Sequence, residues 1–562
     1  MNIQQQLKHW IRETLEIESD FVLEYPTDQS HGDYSTNIAL INSRKLNINP
    51  RLLAEQYVEK LKQNIFKGEV IKDISIAGPG FINFFLHPQY FGSFVAESLS
   101  DEKYGTSESR AGQKIIIEYT DPNPFKEFHI GHLMSNTIGE SISRIIGAMG
   151  AEVKRACYQG DVGLHVATAV WGMMQLKYDP AIANAKDLGH AYAYGAQALR
   201  DNPKAREEIT DINKKIFSRE DEAINTIYDE GRKTSLQYFE TIYKKLGTHF
   251  DYYFFESETG PFGRQVVEEH LGNVFEKSEG AVIFPGEKHD PRLHTRVFIN
   301  KDGLPTYEAK ELGLSKIKHD AYPYTVSIVV TANEINDYFK VLLMAMSLVF
   351  PEFAEKTKHL SHGMLRLPEG KMSSRTGNVI TAVSLIDTVE QMVMDKMTDR
   401  EIDEEKKKEI AGIVAIGALK YSILRQSIGK DVVFDFETSV SFEGDSGPYL
   451  QYATVRAKSI LHKAGDIVAS TEVPSGWQTT SLERMIERYP YIVGRAGEEY
   501  APQYIVTYLV ELAGTFNAFY ASTKIIDSSD ITSPYKLALT QSFVRVMTSG
   551  LDLLGIKVPD SM

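Results

Sequence analysis

The string His129-Ile-Gly-His132 stands between a short apolar run, Lys114-Ile-Ile-Ile-Glu-Tyr119, and a segment of helical periodicity. Free amides at a helix N-terminus favour anions, so two imidazoles placed there can grip a triphosphate. Gly131 permits close approach of a nucleotide to the backbone. Imidazole N–H donors would stabilise the charge that builds on an α-phosphate as an adenylate forms. Much later comes Lys371-Met-Ser-Ser-Arg375, between Gly370 and Gly377. A lysine on a glycine-flanked loop can swing in to neutralise a leaving pyrophosphate and then withdraw. Lys371 and Arg375 are the cationic candidates, with Ser373 and Ser374 as hydroxyl donors. Either string alone could be an ordinary surface loop. In this order, with the first at a strand–loop–helix junction, they point to nucleotide chemistry.

That junction needs a scaffold, and the pattern supplies one. Lys114–Tyr119 reads as a buried parallel strand and Gly131–Met149 as the helix after it, ending at Gly150. Glu152–Tyr158 and Thr325–Thr331 are further strand candidates. Strand, loop, helix, strand predicts an α/β, doubly wound, parallel-sheet, Rossmann-like catalytic domain, with its ligand at the carboxyl end of the first strand. Residues 1–112 predict an N-terminal α+β domain, in which Ile71–Leu86 forms strands broken at Gly78-Pro79-Gly80. The catalytic domain is expected over 113–400, with a polar helical insertion at about 175–250. Residues 401–562 predict an all-helical domain, opened by a charged stretch, Glu401–Glu409, that reads as a solvated helix face or linker.

Composition sets outer limits. One cysteine, Cys157, excludes a disulfide framework within the chain and a cysteine-rich zinc knuckle. No apolar run is long enough to span a bilayer, and Val341–Phe350, the longest obvious one, is too short. The first residues form an amphipathic helical pattern and not a signal peptide, so a cytoplasmic protein with no membrane partner is expected. A net charge of −15 argues against a chain coated by nucleic acid, and no Lys/Arg block marks an RNA path. A local basic path could still serve, so charge leaves RNA binding open.

The two strings resemble the signatures of class I aminoacyl-tRNA synthetases, and their surroundings resemble the arginyl-tRNA synthetase family over essentially the whole chain. Asp121-Pro-Asn-Pro-Phe-Lys-Glu-Phe-His-Ile-Gly-His132 looks like that family's extended first signature. The resemblance implies that Asn123 holds the amino acid's α-groups and that Lys126 approaches the ATP phosphates. It places Pro122, Phe128 and Met372 beside the nucleotide. Asp161 falls in a GDxG-like segment that lines the pocket, and Glu256 falls where a glutamate faces the substrate guanidinium. Tyr307 and Glu311 resemble a tyrosine followed four positions later by an acid, usually Asp. Glu334 aligns loosely with a further pocket segment. Carboxylates and aromatic faces suit a planar guanidinium.

The same resemblance implies an anticodon-binding C-terminal domain, with Tyr449, Gln451, Tyr452 and Arg456 near its entry. Tyr508 is a further candidate there for stacking on bases, although a core role is preferred for any one of these tyrosines. An N-terminal domain would contact the tRNA corner through the Asp33–Asn37 segment. Two more departures stand out: Ser374 replaces the second lysine of the usual KMSKS form, and Ser561 stands where arginine usually precedes the terminal Met. The implied reaction joins L-arginine to tRNA(Arg) with ATP and Mg2+, with no protein-bound metal, no DNA partner and a monomeric enzyme. The competing expectations are another class I synthetase, which would lack room here for an editing insertion or the cysteines for zinc, and a catalytically retired tRNA-binding relative.

Overall fold

A computed structural model describes residues 3–26, 28–64, 70–367, 381–397 and 403–562. The chain forms two compact units. One comprises 1–105, 453–493 and 508–549; the other comprises 106–452, 494–507 and 550–562.

In the first unit a four-stranded antiparallel sheet runs in the order Leu23–Glu24, Tyr34–Thr36, Phe81–Leu86, Ile71–Ala77. Leu7, Trp10 and Ile11 of the helix Ile3–Leu15 pack with Leu53, Tyr57 and Phe84 into its core. One residue expected at RNA is structural here. Asp33 is buried, accepting the Leu86 amide at 2.7 Å and the Arg484 guanidinium at 2.5 Å. Tyr508 is also buried, donating its hydroxyl to the Met485 carbonyl at 2.6 Å, in keeping with the core role preferred for it.

The second unit is built on a five-stranded parallel sheet: β1 (Lys114–Glu118), β2 (Glu152–Gln159), β3 (Tyr252–Phe255), β4 (Val326–Ala332) and β5 (Thr357–His362). Their order is β5-β4-β1-β2-β3. The chain steps from β1 outward to β2 and β3, then returns across β1 to β4, which makes the carboxyl ends of β1 and β4 the switch point where a ligand crevice opens. Ile115, Ile116 and Ile117 are fully buried, as a β-branched run covered on both faces requires. The three-stranded antiparallel sheet at 276–299 was not legible in the sequence.

The helices that matter for the site are α1 (Ile130–Ala148), α2 (Leu164–Leu176), α3 (Ala185–Asp201), α4 (Pro203–Ser218), α5 (Glu222–Leu246), α6 (Glu256–Glu269), α7 (Tyr307–Ala321) and α8 (Asn336–Val349). The insertion is α3 to α5, each started by an Asn or Asp side chain that accepts from first-turn amides: Asn184, Asn202 and Asp221. Its apolar faces share one core with α2, through Val166, Val170, Leu188, Ile209, Ile212 and Ile224. Helices α6 and α7 cross backbone to backbone. A Cβ at Gly263 would lie 1.8 Å from the Ala309 carbonyl, and one at Gly313 would lie 2.2 Å from that of Thr259.

Candidate active site

A cavity of about 300 Å3 opens at the switch point. Its walls carry Asn123, His129, Gly131 and His132 from the β1–α1 region, and Tyr158 and Gly160 from the end of β2. Glu256, Glu311 and Glu334 complete the polar lining, with Glu118 and Asp121.

The signature histidines cap their own helix. The Gly131 amide donates to His129 Nδ1 at 3.1 Å, and the His129 amide donates to His132 Nδ1 at 3.3 Å. The two rings stack with centroids 3.6 Å apart. Because each Nδ1 accepts, the proton of each neutral ring resides on Nε2, and two N–H donors stand at a helix N-terminus in the cavity lining. Burial, then the charge of Lys126, lowers the pKa of His129. Burial, then His129 and Lys126, holds that of His132 well below the usual range. Gly131 is also required within the protein, since a Cβ there would meet the His129 ring at 3.0 Å.

The loop before α1 is held in an uncommon shape. Thr120, Asp121 and Phe125 adopt positive φ of 84°, 46° and 66°. Such residues each cost about 1–3 kcal/mol and persist only where their surroundings fix them. Ser135 accepts the Thr120 amide, Asn136 donates to the Thr120 hydroxyl, Tyr158 donates its amide to Asp121, and Ser235 accepts the Phe125 amide. Asn123 sits against Gly160, where a Cβ would lie 2.2 Å from its Oδ1.

On the acidic side two lysines already serve as counterions. Lys310 donates to Glu256 at 2.5 Å and Lys318 to Glu118 at 2.8 Å, all four side chains buried. Asp121, Glu311 and Glu334 have no cationic partner among the described residues. Burial, then the Glu118 charge, pushes the pKa of both Asp121 and Glu311 well up, with Lys318 pulling the other way. The cavity therefore combines neutral N–H donors with surplus carboxylate, a match for a phosphate-bearing ligand beside a cationic one.

Several sequence-predicted residues stand elsewhere. Asp161 is fully buried and accepts from the Ser257 amide and hydroxyl, Arg232 and Tyr228, so it ties the end of β2 to α6 and α5 instead of lining the cavity. Phe128 packs behind His132 at 5.1 Å, against Phe239 and Tyr243, and Pro122 is buried. Tyr307 is 54% exposed beside Lys310. Gln451 is fully buried, its amide donating to the Lys557 carbonyl at 2.7 Å. Asn37 accepts the Val22 amide, while Arg456 is exposed with its guanidinium 5.3 Å from the Tyr520 ring. Tyr449 and Tyr452 are half-buried.

Lys371, Met372, Ser373, Ser374 and Arg375 lie outside the described residues. The described residues on either side of them both meet the site. His362, Gly363, Met364 and Leu365 line the cavity, and the Ala382 amide donates to the Phe128 carbonyl at 2.8 Å. Sequence reasoning missed Glu118, Lys310 and Lys318; charged residues at buried strand and helix positions were the available signal.

The pKa directions predict how the site responds to acid. A guanidinium needs ionised carboxylates, and Asp121 and Glu311 take up protons above the ordinary range of about 4. His129 and His132 stay neutral below their ordinary pKa of about 6.5. Lowering the pH from about 8 to 6 should therefore raise the KM for a cationic substrate while kcat stays flat. Steady-state kinetics across that range checks this; a kcat that falls with an unchanged KM would contradict it.

Three family descriptions match the chain: "tRNA synthetases class I (R), catalytic domain" over residues 94–436, "DALR anticodon binding domain" over 450–562, and "Arginyl tRNA synthetase N terminal domain" over 1–86. An arginine–tRNA ligase of Fusobacterium nucleatum subsp. nucleatum is 31% identical over 548 residues, covering 95% of this chain and 94% of that protein. One of Limosilactobacillus reuteri is 32% identical over 560 residues, covering 96% and 95%. The solved arginyl-tRNA synthetase of Thermus thermophilus superposes with a TM-score of 0.78 at 23% identity, covering 100% of both chains.

Proposed function

The chain belongs to the arginyl-tRNA synthetase family, and on that premise we propose how its own residues divide the work. The protein is an arginine–tRNA ligase: it activates L-arginine with ATP, releases pyrophosphate, and passes arginine to the 3′ end of tRNA. The observation that carries the assignment of roles is the mixed lining of one cavity, which holds both imidazole N–H donors and surplus carboxylate.

ATP lies with its phosphates against the N-terminus of α1. His129 and His132 donate Nε2–H to the oxygens that gain charge as the arginine carboxylate attacks the α-phosphate. Lys126 adds positive charge on the same side, and Lys371 and Arg375 receive the departing pyrophosphate. Magnesium accompanies ATP as a phosphate-neutralising ion; among the described residues no cluster of three ligands could hold a metal of its own. Glu311, with Glu118 and Asp121 behind it, reads the guanidinium, Asn123 orients the α-groups, and Tyr307 closes over the side chain.

Functionally the chain divides into 1–112, 113–400 and 401–562, with Arg456 and the half-buried Tyr449 and Tyr452 offered to tRNA. No helix among the described residues is long and apolar enough to cross a membrane. The reading extends to a monomeric cytoplasmic enzyme that does not act on DNA.

ATP–pyrophosphate exchange and tRNA charging, run with each of the twenty amino acids and with or without tRNA(Arg), test the reading. Arginine-dependent charging is expected. Charging with a different amino acid would leave only the class I chemistry standing, and no charging at all would sink the whole reading.

A further inference from the structure

Helix α3 of the insertion has two working faces. Leu188, Ala191 and Gly195 point to α2, where a Cβ at Gly195 would lie 2.2 Å from the Thr168 carbonyl. Gly189 and Tyr192, three residues apart and so neighbours on one surface, meet the first-signature loop. A Cβ at Gly189 would come within 3.0 Å of Glu127 Cγ, and the Lys126 ammonium lies 4.7 Å from the centre of the Tyr192 ring. No carboxylate among the described residues pairs with Lys126, so the ring face is the attractive partner that the protein supplies.

We propose that Tyr192 is a positioning residue for adenylate formation, its ring holding the Lys126 ammonium beside the signature histidines so that it meets the ATP phosphates already aimed. The inference rests on reading Lys126 as a phosphate-binding residue. A carboxylate in that place would bind the lysine more tightly but neutralise the charge that the phosphates need. An aromatic face attracts the ammonium through its quadrupole and leaves the full charge to be used. Burial and the Lys126 charge both lower the pKa values of His129, His132 and His165. The helical insertion then contributes directly to the nucleotide site.

The test is a cycle of Tyr192→Leu, Tyr192→Phe, Lys126→Met and the Tyr192→Leu/Lys126→Met pair, followed by ATP–pyrophosphate exchange. Removing a partly desolvated ring beneath an ammonium should lower kcat/KM for ATP by about 5–20-fold. The arginine KM should stay within about twofold, and Tyr192→Phe, which keeps the ring face, should restore nearly full activity. Lys126→Met should cost more, and adding Tyr192→Leu to it should cost nothing further. Losses that multiply in the double variant would overturn the proposal, since Tyr192 would then act on packing alone. So would a silent Tyr192→Leu beside a damaging Lys126→Met. A silent Lys126→Met would instead remove the reading of Lys126, and the proposal with it.

Discussion

His132→Ala is expected to lower kcat about 10²–10³-fold, with the KM for ATP and for arginine changed only a few-fold. The size follows from where the donor is aimed. With Nδ1 occupied by the His129 amide, the Nε2 proton is fixed in place before substrate arrives. A preset donor costs no reorganisation when charge appears on the phosphate, and it contributes to the transition state more than to bound ATP. The same substitution deletes half of the reciprocal cap, which should cost about 1 kcal/mol of stability. Thermal unfolding of the variant separates that loss from the catalytic one. A raised KM at unchanged kcat would mean that His132 only helps to bind substrate.

Glu311→Gln is the second large effect. The substitution keeps the shape and removes one carboxyl group from a cavity wall where the neighbouring acids Glu256 and Glu118 are already occupied by Lys310 and Lys318. Losing one side of a desolvated, hydrogen-bonded charge pair costs about 2–5 kcal/mol. We therefore expect the arginine KM to rise about 10²–10³-fold while the KM for ATP is unmoved. Discrimination against citrulline, which lacks the cation, should shrink in parallel. An unchanged arginine KM would show that Glu311 does not face the guanidinium, and the assignment would pass to Asp121.

The nucleotide half of the site was legible because its signals are local. A β-branched run, a loop with two prolines and a histidine pair opening a periodic helix lie within some thirty residues, and the fold keeps them in that relation. The acidic half was only partly legible. Glu256 and Glu311 were named, but the partners that set their charge state were not: Lys310 meets Glu256 54 residues away and Lys318 meets Glu118 200 residues away. In sequence Lys310 and Lys318 look like two more lysines on a helix, and only the packing of α7 on its neighbours shows them to be buried. Asp161 erred in the other direction. Its motif pointed to the pocket, while Arg232 and Tyr228, brought in by the insertion, claim its oxygens. Tyr508 took the core role preferred for it, since a hydroxyl with a backbone carbonyl in reach is well satisfied in a core.

The meeting of Gly263 and Gly313 has a consequence for anyone wishing to retune this enzyme. Glu256 heads one of the two helices, and Lys310 and Glu311 ride on the other. With main chains touching, neither helix can slide or roll to admit a longer or shorter amino acid without a side chain or a carbonyl in its path. Backbone movement is restricted at this crossing. New amino-acid preferences must come from swapping the groups at the tips of Glu256 and Glu311, while the two glycines are best left out of any library.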